Sequence, residues 1–106
     1  MHLHGERAMA QIEIARDGAA GAWADVQVLD GAFQPLAVKE VTLVFANPAA
    51  GVEPLRRIAT PAGANQWRVD HLTIPLAGRW ILRVELLIGD FDKVMVEDTV
   101  ALPRLP

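Results

Sequence analysis

The sequence predicts an all-β fold, an immunoglobulin-like (Greek-key) β-sandwich of about seven strands. Three observations predict it. Residues 78–88 alternate: Trp80, Leu82, Val84, Leu86 and Ile88 fall on one face, and Arg79, Ile81, Arg83, Glu85 and Leu87 on the other. A period of two with large apolar residues on one side is the pattern of a strand lying on a core. Further short alternating stretches are divided by turn signals, so that a new strand begins about every 10–15 residues, and none has a convincing helical period. Finally, the turn Pro75-Leu76-Ala77-Gly78 leads directly to Trp80. Sandwiches of this kind carry a corner aromatic near the start of a late strand, ordinarily Tyr, and this chain contains no Tyr.

The elements follow in order. Residues 8–15 read as a first strand, with Ala8, Ala10, Ile12 and Ile14 inward and Gln11 and Glu13 outward. After the loop at residues 17–21, residues 22–29 form a second, where Ala24, Val26 and Val28 oppose Asp25 and Gln27. Trp23 shares that polar face and covers an edge. Asp30-Gly31 and Gln34-Pro35-Leu36 mark a longer loop. The third strand, residues 38–46, ends at Asn47-Pro48-Ala49-Ala50-Gly51, where one helical turn fits. Residues 53–60 are a charged fourth strand, and Pro54 with Arg56-Arg57 suits an edge, where proline and charge discourage further pairing. Residues 61–65 read as loop. Residues 66–74 form the fifth strand, with Trp67, Val69 and His71 opposed to Arg68 and Asp70. Residues 78–88 are the sixth, Gly89-Asp90-Phe91-Asp92 turns the chain, and residues 93–102 are the last. The expected organisation is an extended N-terminal segment over residues 1–7, a sandwich over residues 8–102 and a tail over residues 103–106, whose prolines cannot serve a central strand.

Composition narrows the chemistry. A chain of 106 residues, 52% of them hydrophobic, makes one domain with one core. The net charge of −3 is spread over both signs, which gives nucleic acid no basic stripe to bind. No apolar run approaches the roughly 20 residues of a membrane-spanning helix. The opening Met1-His2-Leu3-His4-Gly5 is not a signal peptide, and Met1 is either a native start or an addition to a piece of a longer protein. Cysteine is absent, which removes thiolate sites and disulfides and fits either the cytoplasm or the periplasm. Serine is absent too, and the four threonines, Thr42, Thr60, Thr73 and Thr99, lie in or beside strands. No nucleophile stands near an acid–base pair, so the chain reads as a non-enzyme.

The residues with chemistry to offer are at the start. In an extended segment His2 and His4 project to one side, about 6.5–7 Å apart along the chain. Imidazoles so placed suit copper, zinc, nickel or iron, and the thioether of Met9 adds a soft ligand that favours Cu(I). A solvated chain end explains the same residues more simply. His71 reads as a surface residue at a strand end. Asp90 and Asp92 supply too few oxygens for Ca²⁺ and are better explained by the turn they make.

His2-Leu3-His4, Ala8-Met9-Ala10, the run from Asn47 through Gly51 to Pro54, Gln66-Trp67-Arg68-Val69-Asp70, Pro75-Leu76-Ala77-Gly78-Arg79-Trp80 and Gly89-Asp90-Phe91-Asp92-Lys93 occur here in this order. Taken together they resemble the C-terminal soluble domain of bacterial copper transport and resistance membrane proteins of the CopD-like type, a domain similar to YtkA-like domains. The resemblance implies a periplasmic or extracytoplasmic sandwich that follows a membrane region. It implies copper at His2 and His4, with Met9 as a third ligand, while His71 departs from the pattern. The implied partners are the membrane-embedded transporter region of the same longer protein or a periplasmic copper chaperone, and a monomer is favoured. The alternative is an immunoglobulin-like interaction or structural module that binds no metal and docks on a membrane or periplasmic partner.

Overall fold

The computed structural model describes residues 1–5, 7–19 and 21–105. Among them are nine strands: β1 (His2–His4), β2 (Met9–Asp17), β3 (Gly21–Leu29), β4 (Glu40–Asn47), β5 (Val52–Ile58), β6 (Thr60–Gly63), β7 (Gln66–Val69), β8 (Gly78–Leu87) and β9 (Lys93–Leu102). They form two antiparallel sheets, in the orders β1-β2-β3-β7-β6 and β5-β4-β8-β9. The chain changes sheet between β3 and β4, between β5 and β6, and between β7 and β8. That is the Greek-key strand order of an immunoglobulin-type sandwich, with β1 added at one edge. A single 3-10 turn at Pro48–Ala50 occupies the place expected for one helical turn, and Gly51 closes it at φ 69°.

β8 behaves as its alternation predicts. Trp80, Leu82, Val84 and Leu86 are all 0% exposed, with β4 on one side of the strand and β9 on the other. The first sheet meets this bulky face with small residues, Ala8, Ala10, Ala22 and Ala24, beside Ile12, Val26 and Val28. Large side chains from one layer and small ones from the other fill the core to the density that stable interiors reach. Trp80 is the corner aromatic. Its indole Nε1–H donates to the Leu76 carbonyl, at 3.1 Å and four residues upstream, and ties the turn to the strand.

Two differences from the sequence reading have clear causes. Residues 53–60 are not one strand. Ala59, small and 5% exposed, marks the crossover: its N–H still donates to Val41 of the second sheet at 2.9 Å, while Thr60 already pairs with Arg68 of the first. The stretch read as loop at residues 61–65 therefore contains most of β6, an edge strand where Pro61 costs no ladder bond. The strand read as residues 66–74 ends at Val69 instead. His71 is exposed with φ 53°, a left-handed conformation that His tolerates better than most residues, and the chain turns there. Beyond it Leu72 N–H donates to Ala22 at 2.9 Å, and Ile74 pairs with Leu105, which is 2% exposed, so the tail is tied into the core.

The outward face of β8 also holds a buried charge. Glu85 is 8% exposed. Arg56, on β5, reaches across β4 to place Nη2 at 2.8 Å from Oε1, with Arg83 at 3.7 Å and Lys93 at 4.0 Å. Val44, which lies opposite Arg56 on the outward face of β4, is only 4% exposed. The hydrogen bond from Arg56 is the main cause that holds the Glu85 carboxyl below its usual range; the nearby positive charges assist and burial opposes.

Trp80→Phe removes a buried donor and leaves a void, and should lower stability by about 1–3 kcal/mol, read as an earlier urea midpoint at unchanged slope. Glu85 is more acidic folded than unfolded, so its contribution is present above the unfolded carboxyl pKa of about 4.3 and is lost as pH falls through the lower folded value. The stability gap between the natural chain and Glu85→Gln should stay level above about pH 5 and shrink below it. A gap that persists unchanged to about pH 2 would show that the carboxylate charge is not what Arg56 needs.

Candidate functional site

β1 is short, yet it is held along its whole length. Leu3 is 0% exposed in the core, which turns its neighbours His2 and His4 to the outer face, both exposed. At one end Met1 and Ile12 exchange backbone hydrogen bonds of 2.9 Å in each direction, the Met1 ammonium being one of the donors. At the other end Gly5 N–H donates to Ala8 at 2.9 Å. Only glycine fits there, because a Cβ on Gly5 would stand 2.7 Å from a methyl of Val96. Next in the turn, Arg7 donates twice to Asp92, at 3.1 and 2.7 Å, and clamps the β1–β2 turn to the β8–β9 turn. That bidentate bond from Arg7 also lowers the pKa of Asp92. The His-x-His segment is thus an ordered edge strand, and a loose chain end no longer explains it.

The hairpin decides what faces the histidines. His4 stands opposite Met9, and His2 opposite Gln11. Register partners on one face of an antiparallel pair have Cβ atoms about 4.5–5.5 Å apart. The four side chains therefore form a two-by-two array: two imidazoles on β1, a thioether and an amide on β2. The imidazole rings are stacked, centroids 6.0 Å apart and planes 21° from parallel. Stacked rings send their nitrogens alongside one another, so joint ligation requires rotation about the side-chain torsions, and exposure leaves both rings free to rotate. Met9, the register partner of His4, is 6% exposed, so its side chain is already held in place.

The donor set favours particular metals. Among the described residues no three His, Cys, Asp or Glu side chains come together, and the further donors that the hairpin register sets opposite the histidines are Met9 and Gln11. Two imidazoles with a thioether form a soft set suited to copper, and an amide oxygen is a weak additional ligand. Gln11 is the residue that sequence reasoning missed as a donor. It was visible as an outward residue, but its place opposite His2 depends on the register of the turn.

The other candidates disperse. His71 lies beyond β7, where Leu72 pairs with the opposite end of β3 from the end that meets Met9. Asp92 is neutralised by Arg7, and Asp90 by Lys39, which leaves neither free for a hard cation. Met95 is 53% exposed on β9. Beside the array, Gln11 continues across the sheet into Gln27 and Gln66, and these three with Glu13 and Asp25 line a shallow polar depression of about 150 Å³. Trp23 borders this face under the guanidinium of Arg68, 4.8 Å from the ring centroid, but it stands on β3, which β2 and β7 flank, and not on the edge expected for it.

Comparison with known protein families, curated proteins and solved structures gives no match. The likeness to copper transport domains accordingly rests on the quoted residues alone.

The turn clamp is open to test. Arg7→Ala should speed amide exchange at Leu3 and Gly5 several-fold while Leu82, deep in β8, keeps its protection. Equal exchange at Leu3 in both proteins would mean that Leu3 burial alone holds β1.

Proposed function

We propose that this chain is a non-enzymatic copper-binding domain, with His2 and His4 as imidazole ligands and Met9 as a thioether ligand. The observation that supports it best is the β1–β2 register, which sets His4 opposite Met9 and keeps the two imidazole rings 6.0 Å apart on one exposed face. A site on an edge strand is open to exchange. Its task would be to take up copper or hand it on, rather than to bury it for structural use. The likeness to domains of copper transport proteins supports an extracytoplasmic setting beside a membrane-embedded transporter region or a periplasmic chaperone. No helix among the described residues is long and apolar enough to cross a membrane. The second reading, an interaction module that binds no metal, keeps the same fold and takes the histidines as incidental.

Titration with Cu(I) and with Cu(II), with and without acetylation of the Met1 amine, tests the first reading. The expected result is saturable binding of about one equivalent that is lost when His2 and His4 are both replaced by Ala. Met9→Leu should weaken Cu(I) by at least about tenfold and Cu(II) by less, because the thioether is the soft ligand. No saturable binding, or binding that survives loss of both histidines, would move the weight to the interaction module.

A further inference from the structure

The outer face of the first sheet carries a row of like side chains. The sequence holds four glutamines, and three of them stand side by side there: Gln11 on β2 faces Gln27 on β3, and Gln27 faces Gln66 on β7. Neighbouring strands are about 4.8 Å apart, so the three amides follow one another across about 10 Å. His2 closes the row on β1. Each of β2, β3 and β7 has a strand on both sides, so the row lies in the interior of the sheet.

Nothing in the fold uses these amides. Among the described residues none of the three makes a side-chain hydrogen bond. Gln11 and Gln27 are half-buried, so their polar groups are partly withdrawn from water with no protein partner in exchange. A group in that state gains from a ligand that supplies the missing bond. In the next row Asp25 stands two residues from Gln27, and Arg68 Nε is 3.9 Å from its carboxylate, beyond hydrogen-bond distance. Arg68 is held elsewhere: it lies over Trp23 and donates through Nε to Asp70 at 2.9 Å. The depression of about 150 Å³ lies between the two rows.

This donor set excludes most occupants. An anion would meet the carboxylates of Asp25 and Glu13. Ca²⁺ takes about 6–8 oxygens, more than two carboxylates and three amides on separate strands supply. An apolar group finds no apolar wall, since the one such residue at the floor, Val26, is 1% exposed. A hydroxyl group both donates and accepts. A primary amide offers its N–H groups and its carbonyl in one plane, so it can pair with two adjacent hydroxyls, and a carboxylate accepts from two with charge-assisted bonds. We propose that Gln11, Gln27 and Gln66, with Asp25, form a binding site for a neutral oligosaccharide in extended form, laid across β2, β3 and β7. One sugar ring fills the depression, and the straight row of amides takes the rings that follow it. The site needs no metal and stands apart from the copper reading.

The probe is cellotetraose, a straight and uncharged sugar chain, titrated into the ¹⁵N-labelled, metal-free protein, with spermidine as a test of the carboxylates alone. The side-chain amide signals of Gln11, Gln27 and Gln66 should move saturably with cellotetraose. That of Gln34, in the loop between β3 and β4, should stay in place. Gln27→Ala should raise the Kd about five- to tenfold, the worth of one hydrogen bond, in a chain whose circular dichroism is unaltered. Gln34→Ala should leave the Kd unchanged. Raising sodium chloride from about 0.05 to 0.5 M should alter the Kd less than about twofold, because screening acts on charged ligands. No saturable shift, equal shifts at Gln34, or a Kd that Gln27→Ala leaves unchanged would overturn the proposal. Tighter binding of spermidine than of cellotetraose, lost in salt, would make the face a cation site and would also overturn it.

Discussion

The structure depends on the burial of one face of β8. A strand with a neighbour on each side and a sheet stacked on its face has no freedom of register. A slip by one residue would put Arg79, Arg83 and Glu85 into the core in place of Trp80, Leu82, Val84 and Leu86. With β8 fixed, β4 and β9 follow as its partners, and the small residues of β2 and β3 can face only the layer that β8 defines. Trp80 adds a local constraint. Its indole fills the core while its N–H holds the Leu76 carbonyl, so the crossover from β7 ends in a set position before β8 begins.

What could be read in the sequence was what depends on neighbours along the chain. The alternation of Trp80 to Leu86, the corner aromatic and the turn at Pro48 require no knowledge of distant contacts. The sheet change at Ala59 was hidden because the bonds that decide it come from Val41 on one side and Arg68 on the other. By parity Glu85 falls on the face opposite Trp80, which says nothing of its burial. Its burial depends on Arg56, 29 positions away, reaching over β4. In β1 there are too few residues to show a period, and a single buried side chain, Leu3, marks its inward face. The candidate site divides in the same way. His2, His4 and Met9 were recognisable by residue type. Gln11 became a donor candidate only once the turn fixed which residue lies opposite His2.

That turn changes the energetics expected of a metal site at a chain end. Two ligands on a disordered segment would lose backbone freedom on binding, at about 1–2 kcal/mol per residue fixed. Here the segment is already ordered. Burial of the Leu3 side chain supplies about 1.5–3 kcal/mol, the ladder to β2 holds the backbone, and Arg7 fixes the turn to Asp92. What remains for a metal to order is the rotation of two exposed rings. A site of this kind combines a fixed backbone with mobile ligand heads, which suits a metal that must arrive and leave.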